Sequence, residues 1–138
     1  MADITITAAN VKKNSTTITE EGIAGATITA GQPVYKDSID GKLKLADADL
    51  SLAGAEAIGV AMHAALLDQP LEYAVGGEVV YGAGLTAGVV YVVSATAGGV
   101  APTADLDTNT TWYATVLGVA NSTTVLKLAI KAGRAINA

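Results

Sequence analysis

Cysteine is absent from the chain. Its absence excludes a disulfide framework, a thiolate zinc site and a cysteine nucleophile together. Phenylalanine is absent as well, and histidine and tryptophan occur once each. One histidine with dispersed carboxylates gives no metal-ligand spacing, so no metal or other cofactor is expected. Charged residues are scarce, at 15% of 138 residues, where about 25% is ordinary. The net charge is −5 and the eight basic residues are scattered, with mild concentrations only at Lys12-Lys13 and between Lys127 and Arg134. That pattern argues against a nucleic-acid surface. No stretch approaches the ~18 apolar residues of a membrane-spanning helix. Met1-Ala2-Asp3-Ile4-Thr5 lacks the basic-then-apolar order of a secretory signal, so no membrane partner is expected.

What the chain has in excess is small aliphatic side chains. Hydrophobic residues reach 51% while aromatics stay at 4%, so the apolar content comes from Ala, Val, Ile and Leu. A chain this apolar and this poor in charge is expected to hide part of its surface against another protein. Its length suits one domain spanning 1–138, able to bury about two-thirds of its unfolded surface without staples.

The second positive feature is an internal repeat. Thr29-Ala30-Gly31-Gln32-Pro33-Val34-Tyr35 recurs as Thr86-Ala87-Gly88-Val89-Val90-Tyr91, and Ile58-Gly59-Val60-Ala61 recurs as Leu117-Gly118-Val119-Ala120. Gly41-Lys42-Leu43 falls opposite Gly98-Gly99-Val100, at an offset of about 57 residues. Period-two alternation surrounds these anchors, as in Ile4-Thr5-Ile6-Thr7, Lys42-Leu43-Lys44-Leu45 and Val125 to Ile130. Glycine and Asx turns punctuate the runs. The expected fold is all-β, a compact barrel or sandwich of two pseudo-symmetric repeats at about 25–80 and 82–133. Gly31, Tyr35, Gly59, Gly88, Tyr91 and Gly118 are its structural turn and strand positions. Gly59 and Gly118 lie inside strands, where glycine marks a bulge or the close approach of another backbone. Asp47 to Ala57 and Met62 to Leu67 are candidates for a short helical turn, the former with Asp N-caps.

Candidate chemistry is thin. His63 lacks a nucleophile motif, although Ser51 and Asp68 would be the partners of a triad. Asp37, Asp40, Asp47 and Asp49 suggest a calcium loop, but the closing bidentate Glu is missing. Gly82-Ala83-Gly84-Leu85-Thr86-Ala87-Gly88 has the wrong spacing for a dinucleotide loop and leads into a strand. Trp112 stands alone and reads as core or interface packing. No enzyme activity is expected.

The combination of T-A-G-x-x-V-Y, an acidic loop and the I-G-V-A and L-G-V-A strands resembles the capsid cement, or head-decoration, proteins of tailed bacteriophages. The resemblance covers about residues 20 to 132. It implies a structural virion protein, made in the host cytoplasm. Such a protein binds the outer surface of the assembled major-capsid shell as a homotrimer and stabilises it. A β-sandwich adhesin or carbohydrate-binding module is the alternative, and would display a cluster of exposed aromatic rings. The unrepeated residues 1–20 read as an arm ordered on the capsid, with Ile4, Ile6 and Ile18 as apolar anchors. The other reading makes Ile4 to Thr7 an ordinary strand of the body.

Overall fold

The computed structural model describes residues 3–107 and 111–136, with side chains at 3–106 and 111–131. Its strands are β1 (Lys12–Lys13), β2 (Ile18–Ile23), β3 (Pro33–Lys36), β4 (Leu43–Leu45), β5 (Gly59–Ala61) and β6 (Pro70–Gly76), then β7 (Glu78–Val80), β8 (Val90–Val93), β9 (Val100–Pro102), β10 (Tyr113–Ala120) and β11 (Val125–Ile136). They form two antiparallel sheets that pack together as a compact β-sandwich. The five-stranded sheet runs β2-β6-β5-β3-β4 and the six-stranded sheet β1-β7-β11-β10-β8-β9. Apart from β1, the second order is the first with each strand number raised by five. Each sheet is therefore built from one copy of the repeat.

The correspondence extends to register. Val34, Tyr35 and Lys36 pair with Leu45, Lys44 and Leu43, and 57 residues later Tyr91, Val92 and Val93 pair with Pro102, Ala101 and Val100. Pro33–Val60 and Val34–Gly59 are matched by Val90–Val119 and Tyr91–Gly118. Thr19–Ala74 and Glu20–Tyr73 are matched by Glu78–Lys127 and Val79–Leu126. Two expectations change. The ladder puts Val34, not Tyr35, opposite Tyr91, because the first T-A-G is followed by one extra residue before its tyrosine. The repeats also begin earlier than 25 and 82, since β2 and β7 occupy equivalent places beside β6 and β11.

The short motifs recur because they clasp one another. The amide of Gly31 donates to the Ala61 carbonyl and that of Gly88 to the Ala120 carbonyl, both at 2.8 Å. The amides of Ala61 and Ala120 return bonds to the carbonyls of Gln32 and Val89. Gly31 and Gly88 both have positive φ, at 91° and 84°, the conformation a type II turn demands after Thr-Ala. Gly59 and Gly118 answer the close approach expected of them. A β-carbon at Gly59 would stand 2.6 Å from the Ala74 carbonyl oxygen, and one at Gly118 would collide with that of Lys127.

Burial explains the composition. Val60 and Ala74 join a large core with Val92, Leu117 and Leu126 of the other sheet, whereas Val34, Leu43, Ala61, Leu71 and Tyr73 form a second cluster. Adjacent residues of β5 thus enter different cores, and the strand is buried along its whole length instead of alternating. The second cluster is enclosed because the five-stranded sheet curls. Ala24, just past β2, makes a parallel bridge to Leu43 at the opposite edge. Small residues such as Ala46, Ala48, Ala57 and Ala101 fill the larger core and let the layers approach closely.

Residues 3–13 do not form a detached arm. Ile4 donates its amide to the Val100 carbonyl at the β9 edge, and β1 pairs with β7 at the far edge of the same sheet. Ser94 donates its hydroxyl to the Asp3 carboxylate at 2.7 Å. Ile4 and Ile6 are half-buried against the large core, and Val11 is buried. The segment is a strap joining both edges of the six-stranded sheet. Ile4 to Thr7 is not one of its strands. Of the two helical candidates, one contains a single turn, α1 (Leu52–Ala55), capped by Ser51 rather than by an Asp. Met62 to Leu67 is instead a loop carrying the bridge Ala65–Ile28. Among the described residues no helix is long and apolar enough to cross a membrane.

Candidate interaction surfaces

The singled-out polar residues hold turns. His63 is exposed; its Nε2 accepts the Glu72 amide at 3.0 Å, and Nδ1 lies 2.9 Å from the Ala64 carbonyl. One neutral tautomer, with the proton on Nδ1, satisfies both contacts. Neither Ser51 nor Asp68 is directed to it. The Ser51 hydroxyl accepts the Gly54 amide at the start of α1, and Asp68 forms an ion pair with Lys42.

The four acidic residues do not converge on a cation. Asp37 and Asp40 both take the Lys44 ammonium, at 2.7 and 3.3 Å, and accept the amides of Ile39 and Lys42. The Lys44 hydrogen bond, followed by the Ile39 amide, holds the Asp37 carboxyl below its ordinary value. Asp40 is lowered chiefly by the Lys42 amide. Asp47 moves the other way, raised by burial and by the neighbouring Asp49 carboxyl. No three metal-ligating side chains gather among the described residues. The loop around Asp47 instead joins the two sheets. Ala48 donates to the Ser94 carbonyl and accepts from Tyr113, and Gly98 donates to the Ala46 carbonyl.

The aromatic residues face inward. Trp112, Tyr73, Tyr81 and Tyr91 are buried, and Tyr35 and Tyr113 are half-buried. The Tyr81 hydroxyl donates to the Gly31 carbonyl at 2.8 Å, and burial pushes its ionisation far above the ordinary tyrosine range. The Tyr91 hydroxyl accepts the Thr86 amide.

Exposed aliphatics give the clearest surface signal. Eight large hydrophobic residues are exposed among the described residues: Ile18, Ile23, Ile39, Leu50, Ile58, Leu66, Leu67 and Val119. All but Val119 belong to the first repeat. The shared ladder makes the second repeat an internal control. Ile39, 94% exposed at the tip of the β3–β4 hairpin, has Thr96 as its counterpart, and Ile23 has Gly82. The fold does not require an exposed aliphatic at Ile39 or Ile23, since its other copy lacks one at both places.

Two concavities lie in the same half. A cleft of about 400 Å³ is lined by Tyr35, Ile39, Ala53 and Ile58. A smaller depression of about 250 Å³ lies between Ile28 and the loop Ala64-Ala65-Leu66. That loop is an insertion. Eleven residues separate Ala61 from its ladder partner Tyr73, but only five separate Ala120 from Leu126. The extra six carry Leu66 and Leu67 to the surface, 58% and 59% exposed. They escape a reading of the sequence that searches for what the repeats share. The signal lay in what the repeats do not share, the change in offset across this loop.

Of the expected anchors, Ile18 alone is exposed, at 60%. Ile4 and Ile6 are engaged by the protein's own core. Comparison of the chain with protein-family models and with curated proteins finds no match in either.

Proposed function

We propose that the protein is a structural virion component that binds the outer surface of an assembled bacteriophage capsid and stabilises it. The observation that carries this reading is the concentration of exposed aliphatics on one of two repeats that share a ladder register. A side chain that is exposed, apolar and unnecessary to the fold suits burial against another protein. The resemblance to cement proteins supplies the kind of partner, the major capsid protein. A rigid body with both cores filled and its first segment strapped down can bridge neighbouring capsomers without ordering a flexible chain. Binding only the assembled shell shifts the equilibrium toward it by mass action. A homotrimer would add multivalency. Its contacts would come from loops and the β2 edge, since the apolar excess lies inside two cores and not on a flat sheet face. An adhesin or sugar-binding module is disfavoured by the inward aromatic residues.

The test is to mix the purified protein with undecorated shells and measure co-sedimentation and the temperature at which shells rupture. Saturable binding with a raised rupture temperature is expected. Replacing Leu66 and Leu67 together by Ser should weaken the binding without unfolding the protein. Failure of the unaltered protein to sediment with any cognate shell overturns the proposal.

A further inference from the structure

The outer strands of the two sheets differ in how they are closed. At one side of the six-stranded sheet stands β1, two residues long and carrying two lysines. At the other, β9 ends in Pro102, and its Val100 carbonyl accepts the Ile4 amide. In the five-stranded sheet, the Leu43 carbonyl of β4 is taken by the Gly25 amide. The remaining edge is β2, Ile18–Ile23, whose last residue is met by Leu43 of β4 where the sheet curls, so that its open side runs from Ile18 to Gly22.

Its backbone direction follows from its neighbour. On β6, the Glu72 amide donates to His63 and the Glu72 carbonyl accepts from Met62, both toward the β5 side. Glu21, the ladder partner of Glu72, therefore directs its own N–H and C=O away from β6. Thr19, two residues earlier, points the same way, whereas the matching side of Ile23 meets Leu43 of β4. Open strand edges template the addition of another strand.

The side chains define what can add. Glu20 and Glu21 are exposed and have no ion-pair partner among the described residues, whereas Glu72 beside them is held by Lys13. A second copy pairing β2 antiparallel to β2 would bring its own Glu20 and Glu21 against these carboxylates, and like charges placed opposite one another are destabilising. Exposed Ile18 and Ile23 flank the acidic pair. We propose that the β2 edge receives an extended segment of a partner protein bearing lysine or arginine between apolar residues. On the reading above, on which this partner's identity rests, that partner is the shell subunit. Backbone bonding supplies the affinity, and the acidic pair supplies the selection for basic segments over copies of itself.

Two measurements separate this edge from the shell reading. The first titrates the full-length protein with a nine-residue peptide of alternating lysine and valine, and with the same peptide N-methylated at alternate residues. Slowed amide exchange at Thr19 and Glu21 is expected with the first peptide only. The double variant Glu20→Lys, Glu21→Lys should bind it about tenfold or more weakly, as attractive contacts become repulsive. Equal binding of the methylated peptide, or protection away from β2, overturns the proposal. The second repeats shell sedimentation with the same double variant, and with Glu20→Gln, Glu21→Gln should the reversal unfold β2. Lost binding supports the edge; undiminished binding overturns it and leaves the shell reading intact. If the unaltered protein binds no shell, the shell reading falls and the peptide result alone decides the edge.

Discussion

At Gly118 the Lys127 carbonyl of the neighbouring strand occupies the space a β-carbon would need. The obstruction is backbone, which cannot swing aside as a side chain can. Gly88, in the matching turn motif, differs: nothing stands within 4 Å, and only its φ of 84° disfavours a side chain. The two glycines separate steric from conformational cost. Gly118→Ala should lower stability by about 3 kcal/mol, and Gly88→Ala by about 1 kcal/mol. Urea unfolding of both variants checks the order; equal losses would mean that the β10–β11 approach relaxes freely. Gly59 belongs with Gly118, since Tyr73 and the Ala74 carbonyl crowd it.

Among the elements, the strap of residues 3–13 makes the longest reach. Its last residue, Lys13, leaves the six-stranded sheet to meet Glu72 of the five-stranded sheet at 3.0 Å. Thr19 adds its hydroxyl to the same carboxylate at 3.0 Å. Together they hold the Glu72 carboxyl below its ordinary value, the Lys13 hydrogen bond contributing most. The sign of the linkage follows. A depressed carboxylate stabilises the fold above its unfolded pKa, and the contribution is lost as pH falls through the folded value. Both partners are partly solvated, so the amount is about 0.5 kcal/mol or less. Glu72→Gln should therefore be slightly less stable than the unaltered protein at pH 7, with the gap closing below about pH 4. Paired thermal melts across that range test it, and a gap that persists in acid would assign the loss to packing.

For the whole molecule, the decisive feature is that each repeat owns a sheet while the larger core is shared between them. Val60, Met62 and Ala74 of the first repeat share one cluster with Val79, Leu117 and Leu126 of the second. The loop at Ala46 to Ala48 adds backbone bonds between them. Separating the sheets would expose that cluster to water, so unfolding should be a single cooperative transition. Calorimetry with equal van't Hoff and measured enthalpies is expected. Two resolved transitions would show that the second cluster, of Ile28, Leu43 and Leu71, sustains the first repeat alone.

The sequence by itself determined the all-β class, the repetition, and the need for glycine at Gly31, Gly59, Gly88 and Gly118. Each of these follows from local rules: alternation, turn chemistry and the steric demand of a close strand. It also marked the unrepeated start of the chain, though not where that start lies. Ile4 and Ile6 carry the same alternation whether they meet a partner or their own core. The position of Val34 opposite Tyr91 was equally hidden, because two similar motifs one residue out of step look alike until ladder bonds choose the register. Only the tertiary structure decided which aliphatics are spent inside. Ile28 and Leu66 are interchangeable in composition, yet the curl of one sheet encloses the first and a six-residue insertion carries the second to the surface. Burial depends on which chain segments meet, and for side chains this alike that information resides in long-range packing.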